Sequence, residues 1–301
     1  MHLPSSLLPG ILGLLLTLSS LVHSQCSSTC VRKEVRSLSD QELSSFLGAI
    51  NTLKSNGGYN KYVTIHLDYN TQAHGVPAFL PWHRAFILAF ENEIKAIDSS
   101  VCAHYWAWEL DSQAPEESPI FTAKYFGGNG NPASNMCISD GPFAQWRAHD
   151  GTCLTRDFSQ GSRIGAWMAP SGLNQIMSSA TSYDNFRQRF EGTAHAQVHN
   201  GIGGKRGWMS TMGSPNDPLF MVHHSNCDRI WANFQASRPE YANDYSGKDR
   251  TGRTVAKTDQ LNPFPQTVQE VFSISDLCYS YSDMAPGQVN PRAPTEVPAP
   301  T

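Results

Sequence analysis

Two stretches decide the reading of this chain: HGVPAFLPWHRAFILAFE at residues 74–91 and NDPLFMVHHSNCDRIW at residues 216–231. In the first, Pro81 suits the opening turn of a helix, and Phe86, Ile87, Phe90, Ile94 and Ile97 recur at helical spacing to form an apolar face. In the second, Asp217 and Pro218 cap a helix running from Pro218 to Phe234, with Phe220, His224, Cys227, Trp231 and Phe234 on one stripe. Outward from these, Ser39 and Glu42 form a capping box ahead of Leu43, Phe46, Leu47, Ile50 and Leu53, and Gly57 with Gly58 stops that helix. Tyr183–Glu191 reads as a shorter helix that Gly192 interrupts, while residues 99–182 lack sustained periodicity and form a long connection suited to function or short strands. The expected fold class is mainly α, a helical core with long irregular connections and a few short strands.

The composition narrows the function. The chain has 301 residues, 22 Lys+Arg against 26 Asp+Glu and a net charge of −4, so it carries no basic footprint for nucleic acid. With 40% hydrophobic and 10% aromatic residues it is long and apolar enough to bury one large core or two ordinary ones. Residues 1–24 contain no Lys, Arg, Asp or Glu and run as a Leu-rich segment from Leu7 to Val22, ending Val22-His23-Ser24. This reads as a secretory signal, because the apolar run is short for a membrane anchor and no basic stop-transfer cluster follows it. No later stretch is long enough to span a bilayer. Residues 25–283 then form the functional domain, and 284–301 a Pro-rich tail.

A secreted chain enters an oxidising compartment where cysteines pair. All seven cysteines follow the signal, so at least one is left over, and Cys227, inside the last helix, is expected to be a small buried core thiol. Cys137 and Cys153 bracket a loop and are expected to pair. Cys26, Cys30, Cys102 and Cys278 supply two further bridges, with connectivity left open.

The histidines carry the chemistry. Of eleven, His2 and His23 leave with the signal; His104 and His149 read as ordinary structural residues. His66, His74 and His83 form one group at spacings of 8 and 9, and His195 and His199 lie four apart, followed by the pair His223 and His224. Helical spacing does not choose within that pair, because each falls in line with Cys227. Imidazole suits zinc, copper, iron and nickel, and neither group offers Asp, Glu or Cys at a ligand-like position, which disfavours dizinc hydrolases and carboxylate-bridged diiron. Two copper ions fit best, since together they exchange two electrons with dioxygen and match a two-electron donor such as a catechol.

The two quoted stretches, with HAQVHNGIGG at 195–204 between them, resemble the copper-binding signatures of the tyrosinase and catechol oxidase family of type 3 dicopper proteins. RSLSDQEL at 36–43 and the closing Tyr279-Ser280-Tyr281 extend the resemblance over nearly all of residues 25–283. It implies a four-helix bundle holding a dicopper site, with His66, His74 and His83 on one ion and His195, His199 and His224 on the other. It leaves His223 beside the ligands, offers Arg84 and Asp228 as a pair that fixes helix orientation, and packs Phe220 against the metals, with Trp82 as core. Glu191 falls where the family has a glutamate holding a water near the metals, which marks it as the catalytic acceptor of a phenolic proton.

The chain departs from the family pattern in four places. Ala196 follows His195 where many monophenol-oxidising members have Asn; Asn200 follows His199; Gln72 stands where some members have a Cys joined to the second histidine; and Trp106-Ala107-Trp108 replaces a W-D-W. The first departure weakens monophenol hydroxylation, and the others leave copper binding untouched. The expected function is oxidation of small phenols, chiefly o-diphenols and secondarily o-aminophenols, to quinones with dioxygen as co-substrate. Two alternatives stand beside it, a hemocyanin-like oxygen carrier and a full tyrosinase. The carrier normally has a further domain over the site, and the tail after Tyr281 is too short to make a lid.

Overall fold

Helix α1, Asp40–Ser55, begins at its capping box: Ser39 Oγ accepts the Glu42 N–H at 3.3 Å and the Glu42 carboxylate accepts the Ser39 N–H at 2.9 Å. It ends at Asn56, after which Gly57 takes φ +83°, a left-handed turn that glycine makes without strain. These observations come from a computed structural model that describes residues 29–283; the expected signal at 1–24, Cys26 and the expected tail at 284–301 lie outside the described residues.

Helices α2 (Asn60–Asp68) and α3 (Asn70–Ala73) follow, and lead into α4, Phe79–Ile97. Every residue of α4 from Phe79 to Leu88 is buried, including His83 and Arg84, so this end of the helix is enclosed on all sides. Ile97, expected on the apolar face, is instead 36% exposed, because it is the last helical residue and points past the core. Helix α8, Leu219–Ser237, is buried from Leu219 through Ala232 and packs on α4, which in turn packs on α1.

Between them, α5 (Pro170–Ser178) precedes α6 (Tyr183–Phe190). Gly192 does not end this helix, as the sequence suggested. The chain continues through a π turn, Glu191–His195, into α7, Ala196–Gly203, and Gly192 lies within the π turn with open space where a Cβ would stand. A π turn widens the helix by one residue and re-aims the side chains around it. The result is a bundle in which α2, α4, the α6–π–α7 stretch and α8 carry all the grouped histidines except His74, which follows α3.

Apart from α5, residues 99–182 lie against this bundle as short turns and isolated bridges pinned by buried aromatics. Three of their indole N–H groups find acceptors, Trp106 Nε1 in Asp111 at 2.8 Å, Trp146 Nε1 in Asn51 at 2.6 Å and Trp167 Nε1 in the Trp108 carbonyl at 2.8 Å, while that of Trp108 is buried without one. Cys137 and Cys153 are joined here. Buried Arg156 reaches both oxygens of Asp217 at 2.9 Å, and Asp217 Oδ1 also accepts the Leu219 N–H at 3.0 Å, so one carboxylate caps α8 and anchors the long connection.

The two ends of the described segment meet in a two-stranded parallel sheet, β1 (Cys30–Arg32) against β2 (Tyr279–Tyr281), with Arg32 opposite Tyr281. A disulfide joins Cys30 to Cys102, Cys278 is also disulfide-bonded, and Cys227 is a buried free thiol. Among the described residues no helix is long and apolar enough to cross a membrane.

Candidate metal centre

The histidines converge at the heart of the bundle. His66, on the inner face of α2, joins His74 from the loop after α3 and His83 from α4; His195 closes the π turn and, with His199 one turn along α7, joins His223 and His224 of α8. Within each group the ligand-capable atoms lie within 4.8 Å of one another. The groups touch face to face, with the rings of His83 and His224 stacked at 4.2 Å between centroids and 13° between planes. His74 and His199 are half-buried and the rest are buried, so the site opens on the side of those two.

Backbone carbonyls fix which ring nitrogen is offered. The Nδ1 atoms bond to Met212 O from His66 (2.7 Å), Asn70 O from His74 (3.1 Å), Phe79 O from His83 (2.8 Å), Glu191 O from His195 (3.2 Å) and Met209 O from His199 (2.7 Å). A carbonyl only accepts, so each Nδ1 carries the proton and each Nε2 presents a lone pair. The Nε2 atoms of His66, His83 and His195 are buried with no partner in the protein, a costly arrangement unless something binds them. Those of His199 and His224 stand 3.2 Å apart, close to the separation of about 3.3 Å that two imidazoles show on one tetrahedral ion with bonds of about 2.0–2.1 Å.

Electrostatics keeps the rings neutral. Burial, reinforced by repulsion among the rings, pushes His66 down to about 3, and burial pushes His199 down to about 4. His83, His195, His223 and His224 fall well below the ordinary value for the same reason. An all-imidazole, neutral, buried donor set in two facing groups fits two copper ions and lacks the oxygen donors a harder ion wants. A further cluster of Cys30, Glu91 and Cys102 is no metal site, because its sulfurs form a disulfide.

His223 is turned differently from His224. Its Nε2 faces the Cys227 sulfur at 3.8 Å, while its ring stacks on that of His195 at 5.2 Å. Phe220 meets rings of both groups, lying 5.0 Å from His66 and 4.2 Å from His224. Phe79, which sequence reasoning passed over, plays the same part from the other side, 4.9 Å from His83 and 4.8 Å from His195. Trp82 is core, its Nε1 donating to the Asn262 carbonyl at 2.8 Å.

Behind the rings, Arg84 Nε donates to Asp228 at 2.5 Å. Asp228 also accepts from Arg32 at 3.2 Å, Tyr279 at 2.5 Å and Tyr281 at 2.6 Å. Burial alone would raise this carboxyl, yet Arg84, Arg32 and the two phenols hold it below the ordinary value. Arg32 also donates to Glu91 at 2.9 Å, tying β1 to α4. Arg32 and Glu91 had no signal in the sequence beyond being charges in apolar surroundings.

Glu191 is enclosed rather than solvated. Its Oε1 accepts the Gly75 N–H at 2.7 Å and its Oε2 pairs with Arg187 at 3.0 Å. Burial raises its pKa against the opposing pull of Gly75 and Arg187. Ala196 opens α7 half-buried, Asn200 is exposed on that helix, and His104 and His149 take structural partners in the Lys33 N–H and Asn216.

The chain matches the family model described as the common central domain of tyrosinase over residues 56–237. It is 30% identical over 264 residues to a tyrosinase of Streptomyces antibioticus, covering 79% of this chain and 93% of that protein. Among solved structures it resembles a polyphenol oxidase variant from Thermothelomyces thermophila with a TM-score of 0.70 at 22% identity, over 84% of this chain and 88% of that one. It also resembles a functional unit of Octopus hemocyanin with a TM-score of 0.63 at 22% identity, over 84% and 68%. At that identity the two structural likenesses speak to the fold.

Proposed function

The chain belongs to the tyrosinase family of type 3 dicopper proteins, and from that premise we propose that it is a secreted oxidase of o-diphenols. O-aminophenols are a further substrate class and monophenols poor substrates. The observation that carries this reading is the pair of facing, buried, all-imidazole groups. Two copper ions held by His66, His74 and His83 and by His195, His199 and His224 would supply the paired one-electron changes through which dioxygen is reduced to water.

The chain's own residues do the rest. Main-chain carbonyls hold five imidazoles with Nε2 inward, and Phe79 and Phe220 keep water from the space between the groups. A phenol enters from the side where His74 and His199 are half-buried. Glu191, whose carboxyl burial makes more basic, accepts the phenolic proton directly or through a water. Two diphenols give up four electrons and four protons in all, yielding two quinones and turning one dioxygen into two waters. Ala196, in place of Asn, withholds a polar group beside the ligands, and that favours the more acidic catechols over monophenols. The leader at 1–24 supports secretion.

The likeness to a hemocyanin unit makes oxygen carriage the competing reading. Oxygen uptake by copper-loaded protein in the presence of catechol separates the two. The oxidase consumes one dioxygen for every two quinones formed; a protein that holds two coppers and consumes none is a carrier.

A further inference from the structure

Five of the six candidate ligands sit on or at the end of helical turns, and His74 does not. It follows the four-residue α3 in extended geometry, φ −128° and ψ 145°, and the next residue, Gly75, takes φ +67°. Its local restraints are bonds from its own N–H and Nδ1 to Asn70 O, at 3.0 and 3.1 Å. So short a helix has little stability of its own, and its carbonyls at the C-terminal end need partners.

Those partners come from far along the chain. Arg250 Nε donates to Thr71 O at 2.8 Å, and Arg250 Nη2 donates to His74 O at 2.8 Å. The Glu191 carboxylate holds the Gly75 N–H from another direction at 2.7 Å. Only a guanidinium, with donors fanned in one plane, spans two carbonyls three residues apart; the point charge of a lysine reaches one. Arg250 forms no ion pair among the described residues. The turn that presents it is braced without its help: Asp249 accepts from the N–H groups of Thr251 and Arg253 at 2.9 and 3.1 Å, and Arg253 pairs with Asp249 and Asp259 at 3.0 Å.

We infer that Arg250 is a positioning residue for copper: by clamping the carbonyls of Thr71 and His74 it aims the imidazole of the one candidate ligand that lies outside the helices. The inference rests on the dicopper reading above. It makes the ion held by His66, His74 and His83 depend on a residue that touches neither metal nor substrate, while the ion held by His195, His199 and His224 does not depend on it.

The test challenges copper-loaded wild type, Arg250→Ala and Arg250→Lys with increasing EDTA, counts copper retained per chain, and follows unfolding of the metal-free proteins. Wild type should retain two coppers up to one chelator concentration. Arg250→Ala should release one of its two at a concentration about tenfold lower and keep the other to the wild-type point, in line with the cost of losing an outer-shell partner. Methylguanidinium in the buffer should restore part of the loss, and metal-free Arg250→Ala should unfold with the wild-type midpoint because the Asp249–Arg253 brace remains. If Arg250→Ala fails to fold, Arg250→Lys carries the comparison and should release one copper early. Retention of both coppers to the wild-type point, or loss of both together, overturns the inference. A wild-type protein that does not hold two coppers defeats the dicopper reading itself, and is recognised before any variant is compared.

Discussion

Arg84 and Asp228 meet across the α4–α8 interface at 2.5 Å, directly behind the stacked rings of His83 and His224. Arg84 is the next residue after His83, and Asp228 lies one helical turn after His224. The pair is therefore a fixed strut between the two helices that bring the metal groups face to face, and Arg32, Tyr279 and Tyr281 complete the coordination of its carboxylate.

Replacing Asp228 by Asn should cost about 3–5 kcal/mol, because buried Arg84 loses its counter-charge, while Arg32 keeps Glu91 and the volume stays the same. Urea unfolding of the metal-free protein measures it. The sign with pH follows from the carboxyl being held below its ordinary value of 3.8: its contribution is complete above that value and fades as pH falls below it. A loss under 1 kcal/mol would show that the strut is balanced by its own desolvation.

Substrate range should respond to two residues at the α6–α7 junction. Ala196→Asn is expected to raise the ratio of monophenol to diphenol turnover several-fold, and Glu191→Gln to lower it, since deprotonating a phenol near pH 10 is harder than deprotonating a catechol. Initial rates of oxygen uptake on matched monophenol and catechol pairs give the ratio. If the native protein hydroxylates monophenols without lag and as fast as it oxidises catechols, the proton does not travel by this route.

His104 sets a pH dependence of stability away from the metal groups. Burial lowers its pKa from 6.5 to about 4, against the pull of Glu91 and Glu42, and its Nδ1 accepts the Lys33 N–H at 3.1 Å. In the unfolded chain it takes a proton below about 6.5, whereas in the fold it does not until about 4. Stability should thus decline as pH falls through that window, by on the order of 3 kcal/mol in all. Measured against pH, the unfolding free energy of His104→Gln should show a shallower slope between those values; an unchanged slope would assign the decline to other groups.

What could be read in the sequence depended on whether a helix announced itself through apolar spacing and caps. Helix α1 did so through its capping box, α4 and α8 through the prolines at their starts, and all three through their apolar stripes. Helix α2 did not: its buried face is Tyr62, Val63 and His66, with a metal group standing where leucines would be, and Tyr59 at its start makes no side-chain cap. Helix α5 buries only Leu173 and Ile176. Gly192 suggested an ending because glycine disfavours helix, but the enclosing contacts on either side carry the chain through as a π turn. The histidines themselves stood out by their grouping, whereas Phe79, Arg32, Glu91 and Arg250 act through contacts made across tens to hundreds of residues, and no local pattern marks such a contact.

The segment from Trp208 to Met212 supplies an acceptor to each group, Met209 O to His199 and Met212 O to His66. At Met212 the carbonyl holds the His66 ring, while the residue as a whole is 46% exposed. Any amino acid placed there brings the same carbonyl. Position 212 is thus open to variation while the imidazole behind it stays anchored, and a library diversified at that single codon should vary the surface there without loss of metal.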